Sequence, residues 1–373
     1  MPGKARRKYD GETTRIAKSF TRPLNLIEET LYPDYTKEDL LDAFKKYYPY
    51  EWKSLCERQQ NYKEKDNFIK NTKGRTRYNP SSPEQFFYSL PKVKNLLSKA
   101  HQERYKASFD EVKRAEAEKL LTAKRNNRIH KRSEAITSYT LNEQRVDPGF
   151  IDALIYAYHC KGNTTNDKLE IFKEIQKYNC DKTVEFFYKI NDSERNDEIR
   201  HLAFQHLQAS GHYVKLRKEF DGKKKSYQVE KDTFYGTPEK LYDKLGQEDS
   251  VQSIKSYDVF ISHSSRDKEQ VRNIVQGVNK LGMNCYVDWT ADNDFLKRSM
   301  VSDYTKEVLK RRMQQSKRLL FLSSSNSRKS PWVDFELRYY KEQVKKDIFM
   351  LVLDGTDGHD FKQVSVENLE KIV

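Results

Sequence analysis

A tryptophan and a glutamate four residues apart, Trp332 and Glu336, are the side chains of this sequence best placed for chemistry. Ser330 and Pro331 precede them and are typical of a helix start, because serine can cap the first turn and proline lacks the N–H that would stay unpaired there. On such a helix the two side chains lie one turn apart on one face. The indole can stack on a flat ring, and the carboxylate can meet hydroxyls or a developing positive charge. The alternative is a packed tryptophan beside a solvated glutamate, since aromatic residues at helical spacing usually belong to the core.

Four short apolar runs in the same part of the chain predict a parallel β-sheet. They occupy residues 257–262, 285–288, 318–323 and 348–353. Helices are predicted between them, because the intervening residues carry apolar side chains at helical spacing. Alternating strands and helices favour a parallel sheet with helices on both faces, which binds ligands beyond the carboxyl ends of its strands. The residues at the strand ends along that edge are His263, Ser264, Asp288 and Ser323.

The composition is that of a large globular protein. The chain has 373 residues, of which 34% are charged, and its 24 Tyr and 19 Phe supply apolar surface that a disordered chain lacks. Two or three domains are expected. The four cysteines show no C-x-x-C or zinc-type spacing, which favours reduced thiols and no metal site. Neither a bilayer-spanning run nor a signal peptide is recognisable, so we expect a cytoplasmic protein without membrane contact.

Three segments precede the predicted sheet. Residues 1–35 are basic and interrupted by prolines, and we expect a partly ordered basic arm. We predict that residues 36–218 form a helical domain for sensing or oligomerisation. Its short helices are typical of stacked helical hairpins or of a repeat-like array, although no fixed sequence period is present. Residues 219–256 are interpreted as a linker with one short helix near 238–245.

Most of the net charge of +14 lies in residues 1–250, which suggests phosphate groups as one class of partner. The basic runs occupy residues 4–8, 73–77, 124–132 and 223–225. They could contact nucleic acid, but solvated helix faces and linkers explain them as well, and no nucleic-acid motif accompanies them. Nucleic-acid binding is therefore an open alternative.

Residues 257–373 resemble the TIR domain (Toll/interleukin-1 receptor/resistance). The resemblance is carried by four blocks in the order and spacing of that family, YDVFISHS at 257–264, GMNCYVD at 282–288, SKRLLFLS at 316–323 and SPWVDFEL at 330–337. It implies a flavodoxin-like parallel sheet behind an all-α N-terminal region. For residues 1–250 we identify no family. Residues 354–373 offer little for the fifth strand and last helix of a TIR domain, so we expect that edge to be truncated or completed by a partner.

The resemblance implies a reaction on NAD⁺. Enzymatic TIR domains cleave the bond between nicotinamide and ribose, and their essential glutamate lies in a W-x-x-x-E context that Glu336 matches. NAD⁺ is then the substrate, and no cofactor or metal is needed. Trp332 would stack on a ring of the dinucleotide and could influence the product. The absence of a Gly-rich phosphate loop argues against hydride transfer.

Three further residues are candidate substrate contacts by the same resemblance. His263 and Ser264 occupy positions that border the nucleotide in this family, and Asp288 could meet the ribose or the adenine. The structural alternatives are a histidine whose hydrogen bonds are satisfied within the protein and an aspartate that caps a loop.

The loop at residues 289–298 carries two large aromatic side chains, Trp289 and Phe295. In TIR domains this loop mediates assembly and covers the site. We expect at least one of the two rings to pack on its own domain instead.

The resemblance thus predicts an NAD⁺ hydrolase or cyclase, EC class 3.2.2, acting as an immune effector of the anti-phage type. Self-association through the TIR and helical domains would activate it, and its product could act on an effector protein. Two alternatives remain: a non-enzymatic TIR scaffold, and a basic nucleic-acid-binding sensor with an appended TIR domain.

Overall fold

The computed structural model describes residues 4–214, 236–247, 250–296 and 301–372, which form two compact units. The first unit takes the described parts of Met1–Tyr139 and Leu207–Lys218. The second takes those of Thr140–His206 and Glu219–Val373. The basic run at residues 223–225 and the last two residues of the 289–298 loop lie outside the described residues.

The first unit is built from helices around an aromatic core. Its helices are α1 Lys4–Glu28, α2 Lys37–Tyr47, α3 Pro49–Lys73, α4 Pro83–Ser89, α5 Pro91–Leu96, α6 Lys99–Ala107 and α7 Glu111–Thr140. The segment that we expected to be a partly ordered arm forms α1. The physical reason is that Phe20, Leu24 and Ile27 recur at helical spacing and are buried in the core, which outweighs the proline at position 23.

In the described residues, the second unit begins with four short helices, followed by one further helix before the sheet. They are α8 Ile151–Tyr158, α9 Thr165–Ile175, α10 Asp181–Ser193, α11 Asp197–Ala209 and α12 Pro238–Leu245. None of the helices in the described part of the chain has the long apolar stretch that crossing a membrane requires.

A five-stranded parallel sheet forms the centre of the second unit. Its strands are β1 Tyr257–Ser262, β2 Cys285–Tyr286, β3 Ser316–Ser323, β4 Ile348–Val352 and β5 Lys362–Val364, in the order β2-β1-β3-β4-β5. The connecting helices are α13 Lys268–Lys280, α14 Asp288–Ala291, α15 Asp303–Gln314 and α16 Pro331–Tyr339, which continues as a π turn at Tyr340–Val344. Single 3₁₀ segments occupy Ser327–Lys329 and Val366–Ile372. The predicted fold class, an all-α N-terminal region with a doubly wound parallel sheet, is confirmed.

Both faces of the sheet are covered, as the alternation of its side chains requires. Leu320 and Leu322 of β3 pack on one face with α13, whereas Leu319 and Phe321 pack on the other face with α15 and α16. Successive residues of a strand point to opposite faces, so a strand covered on both sides is apolar throughout.

The C-terminal edge of the sheet is made by the chain itself. Residues 362–364 form β5 and pair in parallel with β4 through Phe349, Met350 and Leu351. The 3₁₀ segment that follows buries Leu369 and Ile372 in the core beside α13. The expectation of a truncated or partner-completed edge was therefore wrong, because three residues suffice for the short edge strand.

The opposite edge, at β2, is covered by Gln144, which lies between α7 and α8. Its side-chain amide donates to the carbonyl of Cys285 at 2.7 Å and accepts from the N–H of the same residue at 2.7 Å. Its backbone pairs with Lys177 and Asn179 just after α9. An edge strand with unpaired backbone groups can pair with another chain, and Gln144 satisfies such a pair of groups.

Candidate functional site

Glu336 lies on α16 at the carboxyl end of the two central strands. The side chain of Ser330 accepts a hydrogen bond from the N–H of Val333, and Pro331 takes the first helical position, as their residue types predict. Val333 and Leu337 bury one face of the helix in the core beneath the sheet. This packing directs Glu336, which is only 9% exposed, towards the end of β1.

Within the described part of the chain, the carboxylate of Glu336 has one hydrogen-bond partner, Ser262. The hydroxyl of Ser262 donates to Oε2 of Glu336 at 2.6 Å, and both residues are buried. Sequence reasoning named the two residues after Ser262 and missed Ser262 itself. The signal was present, because Ser262 is a buried polar residue at the end of a mostly apolar strand.

Burial decides the charge of Glu336. It raises the pKa of this carboxyl to about 8, the Ser262 hydroxyl opposes the rise by stabilising the ionised form, and the negative charge of Asp288 adds to it. At neutral pH burial therefore favours the protonated form of this carboxyl. A cation placed next to it would favour its ionisation, so the site is suited to a positively charged substrate.

His263 is held by hydrogen bonds at both ring nitrogens. Its Nδ1 lies 2.9 Å from the carbonyl of Ile261, and its Nε2 accepts the indole N–H of Trp289 at 2.8 Å. This pattern places the proton on Nδ1 and leaves neither nitrogen for a ligand. In this arrangement the histidine orients Trp289, which corresponds to the structural alternative weighed for it.

Asp288, the first residue of α14, offers an unused acceptor. Its Oδ1 is buried, has no hydrogen-bond partner among the residues that the structure describes, and lies 3.7 Å from Nε2 of His263. A buried acceptor of this kind is costly unless something binds it, and a sugar hydroxyl would satisfy it. Ser264, by contrast, is buried and accepts a hydrogen bond from the N–H of Arg266 at 3.3 Å, so it closes the turn after β1.

The tryptophans at the site are both half-buried. Trp332 packs against the core and meets Phe335 edge-on at 6.5 Å. The Nζ of Lys268 and the Cζ of Arg272 lie over the ring of Trp289, 5.2 and 5.1 Å from its centroid. The two indoles retain partly exposed surface on which a flat ring could stack.

Phe295 occupies a different environment, because it is only 1% exposed. It packs with Leu241, Leu245 and Val308, and Gly236 lies directly over its ring. In this conformation the ring of Phe295 lies in the interior of its own domain. Of these two aromatic side chains, only Trp289 is partly exposed to solvent.

A second polar cluster lies further along the same edge, and sequence reasoning did not find it. Asp357 accepts hydrogen bonds from Ser323 and from Nδ1 of His359, and Arg328 donates to Ser323 at 2.9 Å. A neighbouring cavity of about 370 Å³ is lined by the face of α16 that carries Val333 and by the loop after β4, and Glu336 does not line it. The Ser262–Glu336 pair therefore lies outside this cavity.

No cluster of three His, Cys, Asp or Glu side chains in the described ranges is arranged to hold a metal ion.

Comparisons with known proteins agree with the geometry. The family model of the TIR domain matches residues 259–371. A protein of Cytobacillus dafuensis named "putative cyclic ADP-D-ribose synthase TIR2" is 46% identical over 369 residues, which are 99% of this chain and 97% of the relative. A protein of Bacillus cereus (strain MSX-D12) named "probable 3′ cyclic ADP-D-ribose synthase ThsB′" is 39% identical over 112 residues, 29% of this chain and 58% of that protein. No solved structure matches.

Proposed function

This chain belongs to the TIR-domain family, and from that premise we propose that it cleaves NAD⁺ between nicotinamide and ribose and closes the remaining ADP-ribose into a cyclic product. One observation carries the proposal: a buried carboxyl, Glu336, lies at the carboxyl end of the central strands with its pKa raised to about 8. Such a group is poised to ionise when a cation enters. NAD⁺ brings that cation in its pyridinium ring.

The main requirement of this reaction is that the protein stabilises the charge that develops on the ribose. The bond between the ribose carbon and the pyridinium nitrogen breaks with its electron pair, so nicotinamide leaves as a neutral molecule and needs no general acid. The ribose then carries oxocarbenium-like positive charge. The ionised Glu336 stabilises that charge and accepts hydrogen bonds from ribose hydroxyls, as carboxylates do in glycosidases.

The next step determines the product. An atom of the same ADP-ribose forms the new bond to the ribose carbon and releases one proton, which gives a cyclic product, whereas water would give ADP-ribose. The names of the two relatives support the cyclic product.

The remaining side chains have supporting roles in the proposal. Trp332 stacks on a ring of the dinucleotide, Asp288 accepts a sugar hydroxyl at its unused Oδ1, and His263 holds Trp289 in place. The reaction uses NAD⁺ as a substrate and requires no cofactor. The wider assignment is a cytoplasmic defence effector, activated by self-association, whose product signals to a second protein. It rests on the resemblance to TIR domains of that type.

The experiment incubates the protein with NAD⁺ over a range of protein concentrations and follows free nicotinamide by chromatography and the second product by mass and NMR. We expect a product lighter than ADP-ribose by one water, and loss of cleavage in Glu336→Gln. Glu269→Gln, an exposed glutamate on α13, is the matched control and should keep full activity. Cleavage that survives in Glu336→Gln would refute the role of Glu336. ADP-ribose as the sole product would refute cyclisation, and no cleavage at any concentration would favour the non-enzymatic scaffold.

A further inference from the structure

The short helix α14 touches the candidate site at one end and a buried ion-pair cluster at the other. Its first residues, Asp288 and Trp289, lie against His263 and, through the charge of Asp288, affect Glu336. A four-residue helix is only about 6 Å long, so its two ends move together. Whatever holds the far end of α14 therefore also holds Asp288 and Trp289.

A lysine that follows α9 holds the end of α14 at Ala291. Lys177, just after α9, donates to the carbonyl of Ala291 at 2.5 Å and to both oxygens of Glu174 at 2.9 Å. Its ammonium group also lies 4.0 Å from the carboxylate of Asp294. Lys177 thus joins α9 to the backbone at the end of α14 and to the residues that follow it.

The next residue of the loop, Asp292, is held by a second cation. Arg312 of α15 binds it through two hydrogen bonds of 2.9 and 2.8 Å, and both side chains are fully buried. Burial pushes the pKa of Asp292 upward, but Arg312 and Lys255 hold it below its ordinary value, so the carboxylate stays charged. A bidentate pair of this kind fixes orientation as well as distance.

One glutamine connects these two contacts. Gln252 donates to Glu174 at 3.1 Å and accepts from Arg312 at 2.7 Å. Lys255 adds a buried ion pair to Glu174 at 2.5 Å. The ion-pair cluster, which comprises Glu174, Lys177, Lys255, Asp292 and Arg312, is therefore continuous from α9 to α14. Removing one partner from such a buried cluster leaves another charge uncompensated, so the cluster responds as a unit.

We propose that Lys177 is a positioning residue of the NAD⁺ site, which holds the end of α14 so that Asp288 and Trp289 keep their places beside Glu336. The inference rests on the proposed function for its effect on catalysis, but not for its effect on the loop. It gives the segment that contains α9 a direct part in positioning Asp288 and Trp289 at the site. Lys177 is the member of the cluster to test, because it lies at the margin of the cluster, 13% exposed, and its loss can be compensated by water more readily than that of the fully buried Arg312.

The test compares Lys177→Met and Lys177→Arg with Lys168→Met, which removes a lysine of α9 whose ion pair is with Glu194. Amide hydrogen exchange at residues 286–296 is measured without substrate, and kcat/KM for NAD⁺ is measured separately. In Lys177→Met we expect exchange at 286–296 to become at least about tenfold faster and kcat/KM to fall by about tenfold or more. Lys177→Arg, which keeps the charge and the donors, should restore both, and Lys168→Met should leave both unchanged.

Unchanged exchange at residues 286–296 in Lys177→Met would overturn the proposal whatever the activity. Faster exchange with unchanged kcat/KM would also overturn it, because the loop position would then not matter to the site. Should Lys177→Met fail to fold, Lys177→Gln, which keeps a donor but loses the charge, is carried through the same measurements with the same criteria. Absence of cleavage in the wild-type protein would refute the proposed function alone, and the exchange data would still decide whether Lys177 holds α14.

Discussion

Replacing Glu336 by glutamine should make the protein more stable at alkaline pH, although it removes the proposed catalytic group. Glutamine is nearly isosteric with the protonated carboxyl and carries no charge to bury. The folded state raises the pKa of Glu336 from 4.5 to about 8, because ionisation within the protein is unfavourable. Between these two values the folded protein binds more protons at this site than the unfolded chain does, so wild-type stability falls as pH rises and levels off above about 8.

The size of the effect follows from the shift. One pKa unit corresponds to about 1.4 kcal/mol, so the free energy of unfolding of the wild type should fall by roughly 3–4 kcal/mol between pH 5 and pH 8 on account of Glu336. In Glu336→Gln this contribution is absent. The difference in Tm between variant and wild type should therefore widen by roughly 10 °C over that range, for a cooperative unit of about 200 residues.

Thermal and urea unfolding of both proteins at pH 5, 6, 7, 8 and 9 would measure the difference, with tryptophan fluorescence and circular dichroism as probes. Glu269→Gln is the control, because it removes the same charge from an exposed position and should follow the wild-type curve. If the curves of Glu336→Gln and wild type run parallel from pH 5 to pH 9, Glu336 is not held protonated by burial, and the argument for a poised carboxyl fails.

Three further results are expected. The kcat/KM for NAD⁺ should rise with pH and reach a plateau above about 8, because the free enzyme must ionise Glu336; a profile flat from pH 6 to pH 9 would contradict this. Ser262→Ala removes the hydrogen bond that favours the ionised carboxyl, so the midpoint of that profile should move to higher pH and kcat/KM at pH 7 should fall by about tenfold, which steady-state kinetics would show. Gly236→Ala places a Cβ against the ring of Phe295 and should destabilise the protein by about 1–3 kcal/mol in urea unfolding, whereas Gly358→Ala, where the added Cβ meets nothing, should change little.

Local sequence patterns were sufficient for the first four strands of the sheet and for the helix that carries Glu336. The run at residues 257–262 is mostly apolar because β1 is covered on both faces, and the pair Ser330-Pro331 marks a helix start whatever lies around it. Both signals arise from interactions within a few residues or from burial along a whole element, so they can be recognised from the amino-acid sequence alone. The same reasoning misjudged α1, where a proline obscured the helical spacing of Phe20, Leu24 and Ile27.

The contacts that define the site could not be predicted in this way. Ser262 and Glu336 are 74 residues apart, and Lys177 and Ala291 are 114 apart, so no local pattern relates them. The role of His263 depends on the position of Trp289, whose indole N–H donates to Nε2 of the histidine. That position is determined by the path of the chain after β2 and not by a local sequence pattern.

The sequence by itself determined the order of the first four strands, the start of α16 and the presence of an acid at its second turn. Only the tertiary structure decided that this acid is buried against Ser262, that its pKa is raised to about 8, and that α14 is held by a lysine from the helical segment. The physical reason is that helix and strand formation depends mainly on neighbours along the chain. Desolvation and ion pairing depend on the neighbours that folding brings together from distant segments.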